Sequence, residues 1–188
     1  MWKPTIGAIN KFLADESGDT LWYGQANMNT GKRTTTNYGA LDAFFAGTLA
    51  MDNDLKRAAA LQNSNYLMWM KNGIEPESMN YKTMKVENGA YILRPENFES
   101  AYYLYKYTND PKYLEMGKNM FENLVKSCRT EDAYTAIQDV RTMEKKDYME
   151  SFFFAETLKY AFLLFDDSGK LEFHKVIFNT EAHPYKRG

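Results

Sequence analysis

Apolar residues recur at helical spacing along most of the chain, and polar punctuation divides the pattern into about six helices. Ile6, Ile9 and Leu13 mark a first helix within Thr5 to Ala14, and Ser17-Gly18-Asp19 breaks it. Leu21-Trp22-Tyr23 reads as a short extended piece and Asn27 to Asn37 as a polar loop. Leu41 to Met51 is apolar nearly all round, which predicts a buried helix. Asp52-Asn53-Asp54 then starts a more amphipathic helix over Leu55 to Lys71, and Asn72-Gly73 supplies its stop. Residues 74–93 contain Glu75-Pro76-Glu77 and read as a long, mostly irregular connection. A connection of that length inside a compact domain points to function or to an unread element.

Pro95 suits the start of a helix reaching Thr108, with Phe98, Tyr102 and Tyr105 at helical spacing. Asn109-Asp110-Pro111 turns the chain into another helix, whose face runs through Tyr113, Gly117, Met120, Phe121, Leu124 and Val125 to Cys128. Tyr134 to Val140 alternates like a short strand. Asp147 to Phe165 reads as a long, almost wholly apolar helix whose few charges are Glu150, Glu156 and Lys159. Val176-Ile177-Phe178 reads as a last strand running into Asn179-Thr180-Glu181-Ala182-His183. The alternation of very apolar with amphipathic helices is what an all-α, α/α toroid requires: inner helices buried on all sides, outer ones with a wet face. Short β-hairpins fill the connections, and no fixed repeat period marks a solenoid.

Composition narrows the function. The 188 residues match one ordinary domain, and a net charge of −2 argues against a nucleic-acid surface or a polybasic membrane anchor. The 14 Tyr and 12 Phe offer flat faces with polar tips, which suit carbohydrate sites as well as ordinary helix packing. Cys128 is the sole cysteine, so no intrachain disulfide forms. Met1-Trp2-Lys3-Pro4 does not begin a signal peptide, and no apolar run reaches the ~20 residues needed to cross a bilayer. Phosphate loops, HExxH, paired CxxC and GxSxG are absent, and with only His174 and His183 a histidine-built zinc site is not expected. What remains is oxygen chemistry, the material of a glycosidase or a hard-cation site.

Two places concentrate that chemistry. Glu96 follows Arg94-Pro95 in a first helical turn, where free backbone N–H groups favour negative charge. A lowered pKa and a carboxylate kept ionised as a base are therefore expected. Glu99 shares its face. Acids in a first turn also serve helix stability alone. In the long apolar helix, Phe152 and Glu156 share a face, with Lys159 and Tyr160 a turn further on. A carboxylate there needs a partner: either a structural Glu156–Lys159 pair, or a polar cavity that Glu156 lines while Phe152 presents a flat face to a ligand.

Four stretches taken together resemble the class I α-1,2-mannosidases, the calcium-dependent inverting enzymes of glycoside hydrolase family forty-seven. They are Leu93-Arg94-Pro95-Glu96 with Glu99-Ser100; Met149-Glu150-Ser151-Phe152; Glu156-Thr157-Leu158-Lys159-Tyr160 with Leu163-Leu164-Phe165; and Phe178-Asn179-Thr180-Glu181-Ala182-His183-Pro184. Each is weak alone, but their order and spacing are specific. The match extends more loosely through Ala43-Phe44-Phe45-Ala46-Gly47 and Pro76-Glu77.

The resemblance implies part of an (α/α)₇ barrel with the site at its axis. It makes Glu96 the general base, Arg94 a sugar contact, and Phe152 the ring that stacks on the sugar. It implies that Thr180 binds Ca²⁺ through its hydroxyl and carbonyl. Glu99, Glu156 and Glu181 would hold waters around the ion or hydroxyls of the sugar, with Glu77 in the same substrate-binding set. The substrate implied is an oligomannose glycan losing terminal α-1,2-linked mannose. The family's catalytic domain is more than twice this length, so residues 1–188 read as its C-terminal portion. The general acid is expected in an N-terminal half preceding Met1, and the segment alone is expected to lack activity. Ala40 and Ala43 replace a histidine and a disulfide cysteine of many processing members, as in bacterial and degradation-enhancing relatives. An extracytoplasmic location follows from the resemblance. Its rivals are a non-catalytic mannose-binding module of the same fold, and an unrelated toroid with structural glutamates.

Overall fold

The computed structural model describes residues 1–169 and 171–187. Six α-helices carry the described chain: α1 (Trp2–Phe12), α2 (Phe45–Met51), α3 (Leu55–Asn72), α4 (Glu96–Thr108), α5 (Lys112–Cys128) and α6 (Leu158–Phe165). Their ends follow local chemistry. Asp54 caps α3, accepting from the Arg57 N–H and, through its second oxygen, from Arg57 Nη1 at 2.9 Å. Gly73, at φ +82°, ends α3 in the left-handed region, and Asn109, at φ +53°, does the same for α4.

Helix α4 is the hub. It packs against α2, α3, α5 and α6 and divides two apolar cores. One core gathers Trp69, Tyr91, Phe98, Tyr102, Leu124, Phe153 and Tyr160. The other gathers Leu21, Trp22, Tyr38, Leu49, Leu61 and Met79. Trp69 meets Phe98 edge-to-face at 5.5 Å, a pairing worth about 0.5–1.5 kcal/mol beyond its burial. Two glycines set helix approach. A Cβ at Gly47 would lie 3.0 Å from the Tyr103 ring, and one at Gly117 would overlap the Leu164 side chain. The Gly47 N–H donates to Ser100 Oγ at 2.9 Å, and that hydroxyl donates to the Ala43 carbonyl at 2.6 Å, locking α2 onto α4.

The connections hold more strand than the sequence pattern predicts. Eleven short strands form five small antiparallel sheets among the described residues. Gln25–Ala26 pairs with Arg33–Thr35, so much of the expected 27–37 loop is a hairpin. Asn37–Gly39, Ser78–Asn80 and Lys85–Asn88 form a three-stranded sheet, so the 74–93 connection is not irregular. Both were hidden because strands of two to four residues show no readable alternation. Ala136–Asp139 and Val176–Phe178 are strands as expected, paired with Glu144–Lys146 and Pro184–Lys186.

Two helices are shorter than their apolar runs. Ala40–Phe44 forms a 3₁₀ turn before α2, with Leu41 and Phe44 about half exposed, so that run is not buried all round. The run from Asp147 becomes helical only near Phe152, with Phe153–Thr157 in a wide π-helical turn before α6. Phe154 and Phe162 are 59% and 61% exposed, so that end presents apolar surface outward. Among the described residues, no helix is long and apolar enough to cross a membrane.

Candidate active site

Two segments meet side by side and carry the first motif. Glu75 Oε2 accepts from Asn97 Nδ2 at 3.0 Å. Two residues on, Glu77 receives a fork from Arg94, Nε to Oε1 and Nη2 to Oε2, both at 2.9 Å. Both side chains are largely buried, 15% and 18% exposed, where a fixed bidentate pair is far stronger than a surface ion pair. The Arg94 guanidinium lies 5.9 Å from the centre of the Phe152 ring. Arg94 is aimed by the residue before it: Leu93 is buried at φ +68°, a conformation costing about 1–2 kcal/mol for a side chain with a Cβ. The buried Thr157 hydroxyl holds it by donating to the Leu93 carbonyl at 2.6 Å.

Glu96 and Glu99 lie in the first turn of α4. Burial pushes the Glu96 carboxyl up to about 7, with Glu99 and Glu156 adding to the rise. Its own backbone N–H and Arg94 pull the other way and lose. The expectation of a lowered pKa is therefore reversed. Helix-terminal donors favour the anion, but the site is too dry for them to prevail, and Arg94 already belongs to Glu77. Glu99 also rises to about 7 by burial, offset partly by the Tyr160 hydroxyl donating to its Oε1 at 3.2 Å. Glu156 is raised by burial and by Glu181. The Lys159 ammonium donates to the Ala182 carbonyl at 2.9 Å and, without a close ion pair to Glu156 among the described residues, still partly offsets that rise. The π-helical turn over Phe153–Thr157 separates Phe152, whose ring lies by Arg94, from Glu156, which raises Glu99 and is itself raised by Glu181.

Thr180 and Glu181 form the exposed tip of the turn between the last two strands. Asn179 Oδ1 accepts from the backbone N–H groups of Glu181 and His183 at 3.1 and 2.9 Å. Ala182 is buried with φ +53°. Thr180 shares a cavity of about 330 Å³ with Glu99, Tyr103, Tyr107, Phe173 and Phe178. A larger concavity of about 570 Å³, between the α4–α5 corner and the end of α6, holds none of the motif glutamates. Among the described residues, no three His, Cys, Asp or Glu side chains converge into a metal cage.

The sequence-derived candidates thus fall into two adjoining groups: Glu77, Arg94 and Phe152, then Glu99, Glu156, Glu181 and Thr180, with Glu96 between. Sequence reasoning did not assign roles to Glu75, Asn97 or Thr157. Glu75 left a signal, an acid wedged between Ile74 and Pro76, whereas Asn97 and Thr157 look like ordinary helix residues.

Glycosyl hydrolase family 47 matches residues 1–187. The alpha-mannosidase I MNS4 of Arabidopsis thaliana is 38% identical over 86% of this chain and 27% of its own length. The ER degradation-enhancing alpha-mannosidase-like protein 1 of Schizosaccharomyces pombe is 32% identical over 97% of this chain and 23% of its own. The solved alpha-1,2-mannosidase from Trichoderma reesei superposes with a TM-score of 0.85 at 27% identity, covering 98% of this chain and 46% of that one. The chain thus spans less than half the length of each of these relatives. With four motifs in order, a family match over nearly every residue and a shared helical architecture, this chain belongs to glycosyl hydrolase family 47.

Proposed function

We propose that this chain is the C-terminal portion of an (α/α)₇-barrel catalytic domain, carrying the general base and the cation site of a calcium-dependent, inverting α-1,2-mannosidase. The observation that carries this reading is the Glu77–Arg94 fork against Phe152, set beside Glu96 and Glu99, both poised near pH 7. A base whose pKa lies near the working pH is the most effective one.

Glu96 takes a proton from water as the water oxygen bonds to the anomeric carbon. The glycosidic oxygen leaves with a proton from an acid in the N-terminal half of the barrel, and inversion follows from attack on the opposite face. Phe152 covers the apolar face of the sugar. Arg94, held flat by Glu77, donates to sugar hydroxyls. Glu99, Glu156 and Glu181 accept from hydroxyls and from ordered waters.

The donor chemistry fits Ca²⁺. Glu156 raises Glu99 and Glu181 raises Glu156, Lys159 offsets this only in part, and hard oxygen donors dominate. Thr180 would hold the ion through its hydroxyl and carbonyl, with waters completing the six to eight oxygens such an ion takes. When bound, the ion supplies positive charge beside sugar hydroxyls and water. The substrate is an oligomannose glycan, in keeping with a secretory-pathway or other extracytoplasmic setting.

The test is proton NMR of mannose released from α-1,2-mannobiose by the enzyme with both halves present. The β-anomer appears first if the reading holds. The α-anomer overturns inversion, and binding without release leaves the glycan-binding module instead.

A further inference from the structure

Glu75 is a buried carboxyl that the proposed mechanism does not use. It is 0% exposed. Its Oε2 has one donor, the neutral amide of Asn97, and its Oε1 is buried with no hydrogen-bond partner among the described residues. An ionised carboxylate at that depth needs a cation or several donors. The charged and titratable groups that face it are Glu77, Glu96, Arg94 and the Tyr91 hydroxyl. Two of these are acids, and the one cation is already forked to Glu77.

The partner amide is fixed. Asn97 Nδ2 also donates to the Asn65 carbonyl at 3.2 Å, and its Oδ1 accepts from Gln62 Nε2 at 2.8 Å. Asn65 is held in turn by Tyr38 and by the Ala43 carbonyl. An N–H is therefore presented to Glu75 by a network reaching across α3. The Glu75–Asn97 and Glu77–Arg94 contacts form two neighbouring rungs between the same two segments, one neutral and one charged.

We propose that Glu75 is a neutral carboxylic acid at neutral pH and a positioning residue, tying its segment to the first turn of α4 so that Arg94 and Glu96 stay in register. An ionised Glu75 would compete with Glu77 for Arg94 and place a further negative charge beside Glu96. Its mechanistic weight rests on Glu96 being the base, but its charge state does not.

The test is carbon NMR of the protein labelled at glutamate carboxyl carbons, titrated from roughly pH 5 to 9, in native, Glu75→Gln and Glu75→Leu forms. The expected result is one resonance, missing in Glu75→Gln, that keeps the protonated position at pH 7. Glu75→Gln leaves the Glu96 midpoint unmoved, because it replaces a neutral group with a neutral one. Glu75→Leu, which strands the Asn97 amide, shifts that midpoint and lowers the melting temperature. A Glu75 resonance at the ionised position at pH 7, or a Glu96 midpoint that falls in Glu75→Gln, overturns the proposal. Infrared spectroscopy gives a second readout: a carboxylic-acid carbonyl band at pH 7 that Glu75→Gln removes supports it, and a pH 7 spectrum that Glu75→Gln leaves unchanged in that region overturns it. Neither readout depends on mannose hydrolysis, so failure of the functional reading remains distinct.

Discussion

The Thr157 hydroxyl donates a 2.6 Å hydrogen bond to the Leu93 carbonyl, across 64 residues of sequence. It holds Leu93 in a left-handed backbone conformation and so aims Arg94 into the site. Thr157→Val removes only the donor. It leaves a buried carbonyl unsatisfied and is expected to destabilise the fold by about 1–3 kcal/mol in urea unfolding. Thr157→Ser should retain most of that stability. An unchanged midpoint in the valine variant would show that Leu93 is held by packing alone.

Arg94→Lys keeps the charge but loses the fork to Glu77. A lysine offers one point charge where the guanidinium offers two parallel donors, so about 1.5–3 kcal/mol of affinity for a mannose ligand should disappear. Calorimetric titration of the assembled enzyme reads this directly. Equal affinity in the two forms would mean that Glu77 and Arg94 are structural only.

The carboxyl titrations set a pH dependence of stability. Glu96 and Glu99 rise from an ordinary value near 4.5 to about 7 in the fold, so the folded state binds more protons than the unfolded one between those limits. Their contribution is full below pH 4.5 and is lost as pH rises through 7. The melting temperature should therefore fall across that window in chelator, and Glu96→Gln with Glu99→Gln should flatten the fall. A melting temperature that climbs over the same window would place both carboxylates in a more favourable setting than their burial implies.

Glu96→Gln in the enzyme with both halves removes the base while keeping shape. Turnover should drop by about 10²–10⁴-fold with a much smaller change in KM. Native turnover would move the base elsewhere.

Much of this was legible from residue order alone. Pro95 and Asn109-Asp110-Pro111 bracketed the helix of Glu96 and Glu99, and the motif spacing carried the family. The hairpins were not legible, because strands such as Arg33–Thr35 are too short to reveal a period and are fixed by their partners. The proton affinity of Glu96 was misjudged because a first-turn position is local information, while the burial that reverses it comes from distant packing. Thr157 and Asn97 act through hydrogen bonds to residues far along the chain, which no local pattern records.

The most direct test is a thermal melt of this chain in calcium and in chelator, alongside Thr180→Ala. An ion that binds only the folded form adds about 2.7 kcal/mol at a hundredfold excess over its Kd. The expected result is a calcium-dependent rise in melting temperature that Thr180→Ala abolishes. Identical melts in calcium and chelator, or a rise that survives in Thr180→Ala, would contradict it.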